Sequence, residues 1–199
     1  MSESLQKRLE YLGIADMDYL SARILIINGM THTGLSKAAE AFEKLFKLFL
    51  VLEAKITRNE ELTQKELKQY EHKLVKLFEK VVVKIPGATP FDKSWKEYFE
   101  QLEMAYKTRY PESWKEVRLI NDLTNLDKAY CYFRNNITVN FPKEEQEKIK
   151  SFGTFILKAY NKDIVSYIVK QGGMSPKEAF LKHNKYSSEF NINQAKIPQ

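Results

Sequence analysis

Two lysines in the segment 43–47 could hold a phosphate group. Lys44 and Lys47 follow Glu43 in the sequence Glu-Lys-Leu-Phe-Lys, and an ammonium group binds phosphate as a compact positive charge. Glu43 precedes Lys47 by four residues, which is the favourable orientation for an ion pair on one face of a helix. The pattern therefore fits either a solvated ion-pair face or a phosphate-binding face. We treat both lysines as candidate ligand-binding residues.

Two arginines have the chemistry for the same task. Arg109 lies where one helical pattern ends, and Arg134 follows an aromatic run at residues 130–133. A planar guanidinium can bond two phosphate oxygens at once and can stack on a nucleobase. Each has a structural alternative, since Arg109 could bond the last carbonyls of its helix and the Arg134 stem could pack over the aromatic rings. Both arginines, with the neighbouring Asn135, are candidate ligand-binding residues.

His72 is the remaining candidate for ligand binding. It lies two positions beyond Tyr70 of an apolar stripe, so it is expected at the flank of a helix, either as an interfacial side chain or as a ligand-binding one. The chain has three histidines, none of them four residues from another, and one cysteine, Cys131, which is expected to be a small buried side chain. No HExxH, GxSxG, GxGxxG or Walker pattern is present. The sequence therefore predicts no catalytic residue, no metal site and no cofactor.

Helices must position these side chains, because apolar residues recur at steps of three and four along most of the chain. The predicted stripes are Met17, Leu20, Ile24 and Ile27; Leu35, Ala38, Phe42, Leu45, Phe49 and Leu52; Leu67, Tyr70, Leu74, Leu77, Val81 and Ile85; Phe91, Trp95, Tyr98, Leu102 and Ala105; and Leu119, Leu123, Leu126, Tyr130, Phe133 and Ile137. A Ser/Thr-x-x-Glu capping pattern, Thr63 to Glu66, opens the third helix, and a Pro-Gly pair at residues 86–87 ends it. No internal repeat is evident.

The fold class that follows is all-α. We expect an antiparallel up-and-down bundle of four to five long helices over residues 1–141. Residues 142–199 are expected to form a helical extension packed on that bundle, with a polar tail from about residue 187. A Ser-x-x-Glu cap at residues 113–116 is expected to open the fifth helix.

Composition limits the functional classes. The chain has 199 residues, 43% of them hydrophobic, which is enough for a sizeable core. Its 32 basic and 26 acidic side chains give a net charge of +6, which permits contact with phosphate. The N-terminal residues do not resemble a signal peptide, and no apolar run is long enough to cross a bilayer. We therefore expect a cytoplasmic protein with no membrane partner.

Four segments, in order, resemble the HEPN domain family. Residues 18–23 resemble its opening helix, and residues 39–47 its second helix, written A-x-x-A-x-E-K-x-L-K. Residues 71–77 are similar to the G-H-x-L-x-x-L element, with Glu71 where glycine is common, and residues 108–111 to an R-Y-P element found late in one branch. The resemblance spans about residues 16 to 115. It implies a four-helix up-and-down bundle that is commonly a homodimer.

The family includes metal-independent endoribonucleases, toxins paired with small nucleotidyltransferases, and nucleotide-binding members without catalysis. Nuclease members carry an arginine followed four to six residues later by a histidine. Here Arg134 is followed at that spacing by Asn140, which cannot carry a proton between the reacting oxygens. Arg134 could stabilise the charged phosphorus intermediate, but no histidine would carry the proton, so the resemblance implies a non-catalytic or divergent member of the family.

The function predicted from the sequence is a non-catalytic HEPN-like helical module that binds a nucleotide or RNA. The resemblance also fits a place in a toxin–antitoxin or defence system, with a homodimer or a small nucleotidyltransferase as partner. Two alternatives stay open, a divergent metal-independent endoribonuclease and a helical protein–protein interaction module.

Overall fold

A computed structural model describes residues 3–28, 30–85, 93–109 and 122–139, with two further positions at 143 and 146. The helices of these ranges are α1 (Glu3–Ile27), α2 (Thr31–Arg58), α3 (Gln64–Lys68), α4 (Leu74–Val82), α5 (Lys93–Lys107) and α6 (Asp122–Val139). No strand occurs within the described ranges, so the all-α prediction is confirmed. The predicted cap at residues 113–116 and the extension at residues 142–199 lie outside them, apart from those two positions.

The long helix α2 lies at the centre and contacts α1, α4, α5 and α6. It runs antiparallel to α1, because Arg8 near the start of α1 lies 3.9 Å from Glu61 just beyond the end of α2. It also runs antiparallel to α5, because His32 in its first turn lies 3.1 Å from Thr108 at the end of α5. Gly34 permits a close approach to α1, since a Cβ there would lie 2.6 Å from the Ile26 Cγ1 atom.

The apolar stripe of α2 forms the centre of the core. All six of its predicted members are buried, and the Phe46 ring lies within 6.4 Å of four other phenylalanine rings contributed by α2, α4, α5 and α6. Those rings are Phe42, Phe78, Phe99 and Phe133. These ring contacts pack four helices against one another. Removing one such ring lowers the free energy of unfolding by about 3–5 kcal/mol. Cys131 is buried, as predicted.

The predicted third helix is not continuous. The capping box of Thr63 and Glu66 forms as expected, but α3 ends after five residues and α4 begins only at Leu74. The chain between α2 and α4 returns along α2, so α4 then runs in the same direction as α2, and Lys84 just beyond it pairs with Glu53. The amide of Val75 in the first turn of α4 donates to Glu103 of α5. The amides in the first turn of a helix have no acceptor within that helix. Here the carboxylate of Glu103, from a neighbouring helix, accepts one of them.

The predicted apolar face of α1 was also wrong in part. Met17 and Ile27 are 47% and 45% exposed, and the buried face instead carries Leu12, Tyr19 and two charged residues. Hydrophobicity alone selects the wrong face here, because the buried side of α1 places Asp16 and Arg23 against α6. Within the described ranges, no helix combines the length and the hydropathy that a bilayer crossing requires.

Candidate phosphate-binding site

The break between α3 and α4 places His72 on the surface of the bundle. His72 has a φ of 57°, in the left-handed region, which histidine adopts more readily than most residues. Its backbone amide donates to Glu43 Oε2 at 3.3 Å, and its Nδ1 atom lies 3.5 Å from the same oxygen. The imidazole remains 46% exposed. Glu43 of α2 therefore anchors a turn that a continuous helix could not have formed.

Glu43 also holds Lys47. The Lys47 Nζ atom donates to Glu43 Oε1 at 2.6 Å, so the two carboxylate oxygens face Lys47 and His72 respectively. Lys47 is only 8% exposed. The ion pair at a spacing of four residues, which the sequence offered as one of two interpretations, is present in the structure.

Tyr106 of α5 brings the third cationic candidate to the same place. The His72 and Tyr106 rings have their centroids 4.7 Å apart at an interplanar angle of 32°. The guanidinium carbon of Arg109, an exposed residue, lies 4.0 Å from the Tyr106 ring centroid. We call Glu43, Lys47, His72, Tyr106 and Arg109 the surface cluster. It gathers three of the six predicted ligand-binding residues from elements that are distant in sequence.

The other three predicted residues lie elsewhere. Lys44 donates to Asp18 of α1 at 2.6 Å, in a part-buried pair. Asn135 is exposed on α6. Arg134 is buried, with its Nε and Nη2 atoms each 3.1 Å from an oxygen of Asp16. Its guanidinium is therefore engaged within the bundle.

The pair of Arg134 and Asp16 is one half of a polar network between α1 and α6. Tyr130 donates its hydroxyl to Asp16 at 2.8 Å, so one carboxylate receives both a guanidinium and a phenol. In the other half, Arg23 Nε donates to Asp127 at 2.6 Å and Tyr19 donates to the same carboxylate at 2.7 Å. We call these six residues the buried network. All six are buried, and the Tyr19 and Tyr130 rings stack at 4.1 Å with an interplanar angle of 2°.

The buried network is built from one motif used twice. Asp-x-x-Tyr-x-x-x-Arg occurs at residues 16–23 and again at residues 127–134. Spacings of three and four residues place all three side chains on one face of a helix. Two such faces that meet antiparallel pair reciprocally, each Asp with the Tyr and Arg of the other helix. The sequence analysis missed this repeat, and the recurrence of a charged and aromatic triplet at equal spacing was the signal that could have revealed it.

The environment fixes the charge states of the buried network. Burial raises the pKa of Tyr19 and Tyr130 well above the usual value, and the adjacent carboxylates of Asp127 and Asp16 raise it further. Burial alone would lower the pKa of Arg134, but the Asp16 carboxylate outweighs that effect and the pKa is raised. The phenols therefore stay protonated donors and the guanidinium stays charged at neutral pH.

Neither a metal site among the described residues nor a related protein indicates what the surface cluster and the buried network do. In the described part of the chain, no three side chains of His, Cys, Asp or Glu are grouped so that they could hold a metal ion. The HEPN resemblance remains a prediction drawn from the sequence. No protein-family model matches the chain, and no curated protein or solved structure matches it either.

Proposed function

We propose that the protein is a HEPN-like helical module that binds the phosphate groups of a nucleotide or RNA at the surface cluster. One observation carries the proposal, namely that Lys47, His72 and Arg109 meet around a single carboxylate and a single aromatic ring. Their types match those that bind phosphate and stack on bases.

Each member of the cluster has a distinct part in this proposal. Arg109 presents a planar set of N–H donors that can bond two phosphate oxygens. Tyr106 and His72 offer ring faces on which a base can stack. Glu43 orients Lys47 and His72 through its two oxygens, so the positive charge of Lys47 stays beside the imidazole. Arg134, one of the three predicted ligand-binding residues that lie outside the cluster, bonds Asp16 and holds α6 against α1.

Binding of a labelled single-stranded RNA, measured by fluorescence anisotropy at two salt concentrations, tests the proposal. We expect the affinity to fall as salt rises, with a slope of about −0.7 for each phosphate contacted. Arg109→Ala should weaken binding by about tenfold, in line with the loss of one charge-assisted contact.

Arg58→Ala is the matched control, because Arg58 is an exposed arginine at the end of α2. Glu43 lies about 22 Å away along the same helix, at a rise of 1.5 Å per residue. Equal losses of affinity in the two variants would show that the RNA is held by non-specific charge attraction. Binding unchanged in Arg109→Ala would remove Arg109 from the site.

A second candidate function is a metal-independent endoribonuclease, and one observation favours it. No histidine follows an arginine at the family's spacing, yet His72 and Arg109 lie against the same Tyr106 ring. In such a reaction the 2′-oxygen bonds to phosphorus while the bond to the 5′-oxygen breaks. The proton passes from the 2′-hydroxyl to His72 and then to the departing 5′-oxygen. Arg109 would stabilise the charge on the phosphorus-bound oxygens.

Incubation of the purified protein with labelled RNA in the presence of a chelator separates the two functions. A nuclease gives a 2′,3′-cyclic phosphate that disappears in His72→Gln while RNA binding persists. A binding module gives no cleavage in either protein. Cleavage that survives in His72→Gln at the same rate would be assigned to a contaminating ribonuclease. Arg58→Ala, purified in the same way, is the control variant and should keep any cleavage that the protein itself performs.

A further inference from the structure

A groove of about 360 Å³ lies beside the surface cluster, between the N-terminal half of α1, the middle of α2, and α3 with the turn after it. Its floor is Leu48, which is buried, and its walls include Val51 and Leu67, which are half-buried. The helix that borders the groove, α3, is only five residues long. Apolar side chains thus line a depression that the bundle does not fill.

Charged groups surround this apolar floor. Arg8, Lys47 and Lys68 line the groove, against one carboxylate, Glu71. The lining is therefore positive overall, and an anion is the ligand that complements it.

Two of the polar groups lining the groove are available to a ligand. Neither the Lys68 ammonium nor the Tyr11 hydroxyl bonds another side chain among the described residues. The contact of Arg8 with Glu61 is long, at 3.9 Å. An anionic head placed between Arg8 and Lys68 would gain charge-assisted hydrogen bonds without breaking a short ion pair.

We propose that this groove binds a small amphiphilic anion, a single carboxylate or phosphate head joined to an apolar body. The head is held by Arg8 and Lys68, and the body covers Leu48, Val51 and Leu67. The volume lies in the range of small-molecule sites, roughly 300–1,000 Å³. This ligand goes beyond the phosphate binding proposed for the surface cluster.

Titration of the full-length protein with four probes, followed by amide chemical shifts in NMR spectra, tests the inference. Octanoate and octyl phosphate carry a carboxylate and a phosphate head, respectively, on the same apolar body, and whichever saturates the groove identifies the source of that chemistry. Inorganic phosphate lacks the body and 1-octanol lacks the charge. We expect both to bind at least tenfold more weakly than the better amphiphile.

Three variants locate the binding. Lys68→Glu should weaken it at least tenfold, whereas Lys76→Glu, at an exposed lysine of α4, should leave it unchanged. Val51→Phe should fill the groove and weaken binding without altering charge. Arg109→Ala should not affect it, which separates this ligand from RNA at the surface cluster. The inference is overturned if neither amphiphile saturates below about 10 mM, if phosphate binds equally well, or if Lys68→Glu and Val51→Phe both retain full affinity.

Discussion

The buried network and the surface cluster combine almost the same side chains at very different exposures to water. Each combines arginine, tyrosine and a carboxylate. In the buried network, Arg23 and Arg134 each contact one carboxylate through two nitrogens, and the tyrosines fill a remaining acceptor site. In the surface cluster, Arg109 is exposed over a half-buried ring and the carboxylate faces a different cation. Chemical type alone therefore does not distinguish a buried, paired arginine from an exposed one.

Burial makes the difference. Taking a guanidinium out of water costs several kcal/mol, so a buried arginine is stable only with its charge and its donors satisfied. Both arginines of the buried network meet that condition through helix-to-helix contacts. Arg109 lies two residues beyond the end of α5 and is exposed, so water remains in reach.

Removing one carboxylate of the buried network is expected to have the largest effect. Asp127→Ala leaves Arg23 buried without its counter-charge and should lower the free energy of unfolding by about 3–5 kcal/mol. Urea denaturation followed by circular dichroism measures this loss. Glu79→Ala removes an exposed carboxylate paired with Lys96 and should cost less than about 1 kcal/mol. Similar losses in the two variants would contradict the distinction between buried and surface pairs.

Alkaline pH should weaken the buried network next. The pKa of Tyr19 and Tyr130 is raised in the folded state, so both phenols stay protonated after the unfolded chain begins to ionise near pH 10. Their contribution is therefore fully present below pH 10 and is lost as the pH rises towards the folded pKa. The free energy of unfolding, measured from pH 8 to 11, should fall above pH 10. The free energy of unfolding of Tyr19→Phe should fall less steeply with pH than that of the unaltered protein. Equal slopes in the two proteins would contradict the assignment.

Substitution in the surface cluster is expected to change both stability and binding. Glu43→Gln removes the negative charge beside Lys47 and His72 but retains an oxygen for the His72 amide. Because Lys47 is only 8% exposed and loses its counter-charge, the substitution should cost about 1–3 kcal/mol in stability, and it should raise RNA affinity about twofold to threefold. Parallel urea and anisotropy measurements check both values. An affinity below that of the unaltered protein would show that positioning by Glu43 outweighs its repulsion of phosphate.

The smallest effect on stability is expected at the turn itself. His72→Gly relieves the left-handed backbone at φ 57° but loses the contact with the Tyr106 ring, so the two changes should offset to within about 1 kcal/mol. Asn59→Gly is the comparison, because Asn59 has a φ of 54° and caps α2. We expect RNA binding to fall in His72→Gly alone. A fall of equal size in Asn59→Gly would point to a general loss of rigidity.

Residues 43–47 and 127–134 differ in how well their contacts can be predicted from local sequence spacing. The ion pair of Glu43 and Lys47 depends on a spacing of four within one helix, so the sequence predicted it as one of two interpretations. The stripe of α2 and the capping box of Thr63 follow equally local rules and were predicted. The partners of Arg134 come from α1, more than a hundred residues away, and no local rule identifies them. Burial of Asp16 and Arg23 also explains why the apolar pattern of α1 was misassigned.

By itself, the sequence determined that the described part of the chain folds into helices, that the predicted apolar stripe of α2 is buried, and where α3 begins. These properties depend on side chains within about one or two turns of each other, whose geometry the helix sets in advance. Only the tertiary structure decided that the predicted third helix breaks at His72, that Arg134 is buried, and that Arg109 joins His72 at Tyr106. These outcomes depend on groups brought together by helix packing, where the cost of burying a charge and the position of its partner act together.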